Sequence, residues 1–248
     1  MLILAIDTSG QSGGITLAEA GAGSFRIIES VAIAGGTFSA QLIPTLAALL
    51  KKHGYAVKDL GGFAAASGPG SFTGLRVGLS AIKGLAETLQ KPIAVVSVLE
   101  ALASLSEHSG KIAAAMDAGR KEIFFGVFEK FTEEKLAETN PAKISEERSS
   151  TELRQTLIKQ REELMTQQDF LAALTSDDPV WVVTADAAIA ELAATSDSAV
   201  TVVARPGSEV IARLGAAKLL AGETVSVEAL DANYLRRSDA EIFFKGNR

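Results

Sequence analysis

The chain opens on an unbroken apolar run, Leu2-Ile3-Leu4-Ala5-Ile6, closed by Asp7. Without polar alternation, such a run predicts a strand covered on both faces. Small and polar residues fill positions 7–14, and two more apolar stretches follow at 15–18 and 25–33, with a glycine-containing turn at 20–23 between them. This pattern predicts a three-stranded meander. From Ser39 the apolar spacing becomes helical and continues to His53, where Gly54 stops it. A short strand over 63–66 then runs into Ser67-Gly68-Pro69-Gly70-Ser71-Phe72-Thr73-Gly74-Leu75-Arg76-Val77-Gly78, which opens a helix reaching about Gln90. Pro92 precedes a further apolar strand over 93–98. The strand–helix–strand succession implies parallel pairing, so the first hundred residues read β-β-β-α-β-α-β.

The pattern then restarts. Ile112-Ala113-Ala114-Ala115-Met116-Asp117-Ala118-Gly119 repeats the logic of residues 3–9, an apolar strand ending in Asp and two small residues, and 123–128 supplies a returning strand. Residues 145–175 are rich in Glu, Gln and Leu and contain no glycine, which predicts helices on the outside of a second lobe. A strand over 180–183, a helix over 185–194, a strand over 199–203 and a helix over 207–220 complete the chain's α/β alternation. The expected architecture is α/β and two-lobed, with tandem βββαβα halves. The N-terminal lobe spans 1–98 and the C-terminal lobe 99–248, whose last segment packs back on the first lobe. A cleft between the lobes would lie between Asp7 and Asp117.

Composition narrows the function classes. Of 248 residues, 24 are Lys or Arg and 30 are Asp or Glu, a formal charge of −6. This argues against a lone nucleic-acid binder, because each neutralised phosphate requires its own cation. Zero cysteines remove disulfides, thiolate metal sites and cysteine nucleophiles. The two histidines, His53 and His108, are far apart in sequence and stand at apparent helix C-termini, where a solvated cation near the helix dipole is the plain reading. No metal or cofactor is expected, and metalloprotease chemistry is disfavoured for want of ligands. The opening apolar run lacks a basic flank and is too short for a secretory leader, and no later run approaches a membrane span. The chain is expected to be cytoplasmic.

Two segments carry candidate chemistry. Asp7, Thr8 and Ser9 at a strand end could hold a metal-bound phosphate, with Asp117 in the other lobe orienting an attacking group; the same residues also serve ordinary turn chemistry. The glycine block around Gly68 and Gly70 lacks the Lys-Ser/Thr of a phosphate loop and the third glycine of a dinucleotide fingerprint. It remains either an anion-binding turn or a turn shaped for close packing. In the helix that follows, Leu75, Leu79, Ile82, Ala86 and Leu89 form an apolar face, beside a stripe of small residues at Gly74, Gly78, Ala81 and Gly84. In the helix from Ser39, Leu42, Ile43, Leu46, Leu49 and Leu50 cover a wide apolar arc. Helices apolar over so much of their surface are covered on two sides. One cover is the protein's own sheet; the other is a partner, or else the helices are simply buried.

Taken together, residues 2–9, Leu42-Ile43-Pro44, the 67–78 block, Met116-Asp117-Ala118-Gly119-Arg120-Lys121-Glu122 and Tyr234-Leu235-Arg236 resemble the bacterial TsaB (YeaZ) family. The resemblance implies a two-lobed fold of the actin, sugar kinase and Hsp70-like superfamily. It also implies a non-catalytic role in making N6-threonylcarbamoyladenosine in tRNA, as activating scaffold for a TsaD-type threonylcarbamoyl transferase. The implied partners are that paralogue as a heterodimer and a TsaE-type ATPase, with tRNA met only through the complex and a homodimer formed when the partner is absent. The implied interface comprises Leu42, Ile43, Leu46, Leu49, Gly74, Arg76, Val77, Gly78 and Ala81, and a bulky residue at position 78 is expected to block docking while leaving the fold intact. Asp7, Thr8, Ser9, Gly68, Gly70 and Asp117 are then a vestigial phosphate site. The alternative is a weak ATP-dependent phosphotransferase using Asp7 and Asp117.

Overall fold

The computed structural model describes residues 1–131, 157–175, 181–196 and 198–236. Two five-stranded mixed sheets form its frame, and they share one topology. The first runs in the order β3-β2-β1-β4-β5, built from β1 (Leu2–Asp7), β2 (Ser12–Gly21), β3 (Ser24–Ala34), β4 (Leu60–Gly68) and β5 (Ile93–Ser97). The second runs β10-β9-β6-β7-β8, from β6 (Gly110–Gly119), β7 (Glu122–Lys130), β8 (Leu157–Thr166), β9 (Trp181–Thr184) and β10 (Val200–Val202). In each sheet the first three strands are antiparallel, and the parallel strands lie beyond the first of them. Asp7 and Asp117 therefore stand at equivalent positions, at the C-terminal ends of the two central strands. The two-lobed α/β reading holds.

Six helices lie among the described residues: α1 (Phe38–Lys52), α2 (Phe72–Leu89), α3 (Val98–Ser104), α4 (Gln167–Leu174), α5 (Ala187–Ala194) and α6 (Ser208–Ala221). Their placement follows from the alternation along the strands. In β1, Leu2, Leu4 and Ile6 face one way and pack with Leu42, Leu46 and Leu49 of α1 and Leu79 and Ile82 of α2. Ile3 and Ala5 face the opposite way, into a core shared with α3, α6 and the inner face of the second sheet. Because successive strand residues point to opposite faces, one apolar run seals two layers. In β6, Ala113 and Ala115 face outward to α4 and α5, while Ile112, Ala114 and Met116 join the shared core. The layers are thus α1–α2, first sheet, α3–α6, second sheet, α4–α5.

Some sequence expectations change here. Residues 157–166, expected to be helical, form the strand β8, whose Met165 and Leu164 pair with Ile123 and Phe124 of β7. The segment Lys159-Gln160-Arg161-Glu162-Glu163 is helix-favouring by composition, but the open edge of β7 supplies a ladder that outweighs a propensity of tenths of a kcal/mol per residue. The rest of that stretch up to 156 lies outside the described residues, as does Val180. A helix not expected from the periodicity, α3, begins at Ser97 with a capping box: the Ser97 hydroxyl accepts the Leu99 N–H and the Glu100 carboxylate accepts the Ser97 N–H. It lies between the two sheets and touches both, so the expected lobe boundary at residue 98 falls in its first turn. The helix α6, late in the chain, packs on the first sheet against β1, β2, β4 and β5. Its Gly215 is so close to β4 that a Cβ there would sit 2.3 Å from the Ala64 methyl.

Candidate functional site

Two concavities meet at the first turn of α2. The first is the cleft between the lobes, about 590 Å³, lined by the β1–β2 turn (Ser9, Gly10, Gln11), the loop into α2 (Pro69 to Phe72), the β6–β7 turn (Asp117, Ala118, Arg120) and Arg205, Tyr234 and Arg236. Asp7 is not among its lining residues. Asp7 is only 2 % exposed, and its Oδ1 accepts the Ser9 N–H at 2.8 Å. Burial raises its carboxyl above the ordinary range, against the opposing pull of the Ser9 hydrogen bonds and the Arg205 cation. Asp117, by contrast, is exposed; its Oδ1 accepts the Gly119 N–H at 2.9 Å, and its own N–H donates to Asp186 Oδ2 at 2.9 Å. The two carboxylates are therefore not assembled into one site. A metal-bound phosphate held by Asp7 does not fit a carboxyl so buried, whose oxygen already accepts an amide hydrogen bond. The phosphotransferase alternative is not favoured on this geometry.

The remaining members of the expected phosphate set are structural neighbours of Asp7. Thr8 and Ser9 are buried. The Ser9 carbonyl accepts the Ser71 N–H at 2.7 Å, and Arg205 Nη2 approaches the Ser9 hydroxyl at 3.4 Å. Gly70 lies against the same carbonyl, where a Cβ would come within 2.2 Å of the oxygen, and Gly68 takes φ +102°. The glycine block is thus shaped by close approach to the β1–β2 turn.

That close approach bears on the expected interface. Gly74 and Gly78 are buried against the chain's own β1–β2 turn. A Cβ at Gly74 would lie 2.1 Å from the Thr8 carbonyl oxygen, and one at Gly78 would lie 2.4 Å from Thr8 Oγ1. A bulky residue at 78 would have to displace the Thr8 and Ile6 side chains, so its effect would not be confined to docking. Leu42, Leu46 and Leu49 are likewise buried in the chain's own core. The outer face of the helix pair carries Ile43, which is 52 % exposed, together with the exposed Arg76 and the partly exposed Val77 and Ala81.

These residues border the second concavity, a groove of about 650 Å³ between α1 and α2. Arg76 closes its end nearest the cleft, with its guanidinium 3.9 Å above the Phe72 ring and its Nε donating to Tyr234 Oη at 3.2 Å. Periodicity alone does not single out Phe72; its signal is the position directly after the Ser71 cap, at the helix start.

The histidines are accounted for separately. His53 Nε2 lies 2.6 Å from Glu29 Oε2, and Lys52 Nζ lies 2.7 Å from Glu29 Oε1, so the end of α1 is tied to β3. Lys52 first and then His53 hold the Glu29 carboxyl below its ordinary range. His108 stacks on Trp181 with ring centroids 3.5 Å apart. Among the described residues no group of three or more His, Asp or Glu is placed to hold a metal, and no helix is long and apolar enough to cross a membrane.

The family model for TsaD, tRNA N6-adenosine threonylcarbamoyltransferase, matches residues 32–244. The chain belongs to this family. Its curated relatives are TsaB proteins, as the sequence resemblance indicated. The tRNA threonylcarbamoyladenosine biosynthesis protein TsaB of Bacillus subtilis is 37 % identical over 130 residues, covering 52 % of this chain and 56 % of that protein. TsaB of Escherichia coli is 27 % identical over 133 residues, with coverage of 52 % and 56 %. The match thus spans about half the length of these relatives. The fold extends further. The structure of YeaZ from Pseudomonas aeruginosa aligns over 94 % of this chain and 100 % of its own, with TM-score 0.68 at 21 % identity.

Proposed function

We propose that this chain is a non-catalytic, activating scaffold in tRNA N6-threonylcarbamoyladenosine formation, and that a TsaD-type transferase docks on its α1–α2 groove. The observation that carries the reading is the exposed outer face of these helices, with Ile43 half in solvent at the rim of a groove that Val77 and Ala81 also line. An aliphatic side chain left so exposed beside a concavity of this size is a surface suited to a partner's apolar anchor. A partner of the same family would share this fold and offer an equivalent helix pair, which favours that occupant over an unrelated peptide. The docking set is then Ile43, Arg76, Val77 and Ala81, with Leu42, Leu46, Leu49, Gly74 and Gly78 supporting it from beneath. The acidic balance of the chain agrees with tRNA being held by the assembled complex rather than by this subunit alone. A TsaE-type ATPase as a further member of the complex and a cytoplasmic setting belong to the same reading.

The test is co-expression of the chain with a TsaD-type transferase. Wild-type protein is expected to co-elute with it in size-exclusion chromatography and to restore threonylcarbamoyladenosine in tRNA. Ile43→Asp should weaken the complex at least about tenfold, equivalent to about 1.4 kcal/mol, with the melting temperature of the isolated chain little changed because the site is on the surface. A variant complex as tight as wild type overturns the docking surface. Self-association of the chain, lost in the same variant while the transferase still binds, would assign the groove to a second copy instead.

A further inference from the structure

The groove and the cleft share a wall. Phe72 lines both, Arg76 lines the groove, and Tyr234 lines the cleft. These three side chains are locked together: the Phe72 and Tyr234 ring centroids are 4.8 Å apart, the Arg76 guanidinium lies 3.9 Å above Phe72, and Arg76 Nε donates to Tyr234 Oη at 3.2 Å. Tyr234 belongs to a segment that crosses from the first lobe to the second. Beside it, the Asn233 N–H donates to the Ser67 carbonyl of β4 at 2.7 Å, and its side-chain amide donates to Glu162 Oε2 of β8 at 2.7 Å. Two residues on, Arg236 Nη1 donates to the Ala118 carbonyl at the end of β6 at 2.7 Å and pairs with Glu122 at the start of β7. The segment 233–236 is a strap laced to both sheets, and its one aromatic ring rests on the helix turn that ends the groove.

We propose that this strap couples the two concavities: a partner seated on the α1–α2 groove tightens the Arg76–Phe72–Tyr234 contact and thereby fixes the strap and the second-lobe turn at 118–122 that borders the cleft. The proposal rests on the docking reading above. Its direction follows from electrostatics. Arg76 is now exposed, so water weakens both its attraction to the Phe72 ring and its hydrogen bond. Covering it with a partner lowers the local dielectric and strengthens both. A ligand shifts an equilibrium only through contacts that differ between states, and the covered Arg76 supplies that difference.

Hydrogen exchange followed by mass spectrometry on the full chain tests the link directly. In the isolated protein, Arg76→Ala and, as a milder variant that keeps the ring, Tyr234→Phe are expected to raise exchange at 233–236 and at 118–122 by about fivefold to tenfold, the scale of one lost hydrogen bond. Exchange in β1 and β4 should stay unchanged. A change confined to the first turn of α2, or no change, overturns the coupling. With a TsaD-type transferase added, wild-type chain should show slowed exchange at 118–122, and Tyr234→Phe should bind without that slowing. Slowing that persists in the variant overturns the proposal. Failure of the wild-type chain to bind at all overturns the docking reading instead, while the isolated-chain comparison still decides whether α2 and the second lobe are linked.

Discussion

Thr8 shows how much a single residue can determine. Its carbonyl and hydroxyl occupy the space that Cβ atoms would need at Gly74 and Gly78, at 2.1 and 2.4 Å. The carbonyl belongs to a backbone fixed by β1, whereas the hydroxyl can rotate away. Gly74→Ala is therefore expected to cost more than Gly78→Ala, about 3 kcal/mol or above for the first and about 1–2 kcal/mol for the second, on the scale of overpacked cores; urea unfolding of the two variants decides the order. Asp7, one residue earlier, gives a pH signature. An acid whose folded pKa is raised binds its proton more tightly when folded, so its penalty is absent below the unfolded range near about pH 4. That penalty grows as pH rises until the folded carboxyl also ionises. Asp7→Asn keeps an oxygen for the Ser9 N–H and removes the titration. Its stability relative to wild type should climb from about pH 4 upward. A difference that is flat with pH would show that Asp7 is not held above its ordinary range. The sequence displayed both the glycines and the aspartate plainly. What it could not display was which neighbour each one meets, since a small residue facing a partner and one facing a strand turn leave the same spacing.

At the scale of elements, legibility followed the strength of local signals. The strands β1, β4 and β5 were readable because burial on both faces leaves them continuously apolar, and α1 and α2 because their period is unbroken. The strand β8 was unreadable because its outer position tolerates Lys, Gln, Arg and Glu, and only pairing with β7 makes it extended. The helix α3 is short, and its apolar run merges with that of β5. Its start nonetheless stood in the sequence as Ser97-Val98-Leu99-Glu100, the spacing of a capping box. Both halves of that box form, and Glu100 also receives Lys218 of α6 at 2.7 Å. Ser97→Ala is expected to cost about 1 kcal/mol, seen as a lowered urea midpoint with an unchanged slope. An unaltered midpoint would mean that packing between the sheets, rather than the cap, starts this helix. The docking face behaves oppositely: the apolar arc of α1 was legible, but its division into a buried stripe at Leu42, Leu46 and Leu49 and an outer edge at Ile43 depends on where the sheet lies.

On the scale of the whole molecule, the two halves repeat one topology and share a single interior. The repeat was visible in the recurrence of an apolar strand ending in Asp at 7 and 117, a spacing of 110 residues by subtraction. The shared interior was not, because it is made by α3 and α6 lying between sheets that sequence reading treats as separate. Ile3 and Ala5 of β1 are covered by a helix that begins about two hundred positions later, at Ser208. During synthesis the inner face of the first sheet therefore lacks part of its cover, α3 aside, until residues 208–221 have emerged. At about 5–20 residues per second, this leaves an interval on the order of ten seconds or more in which an apolar sheet is open to other nascent chains.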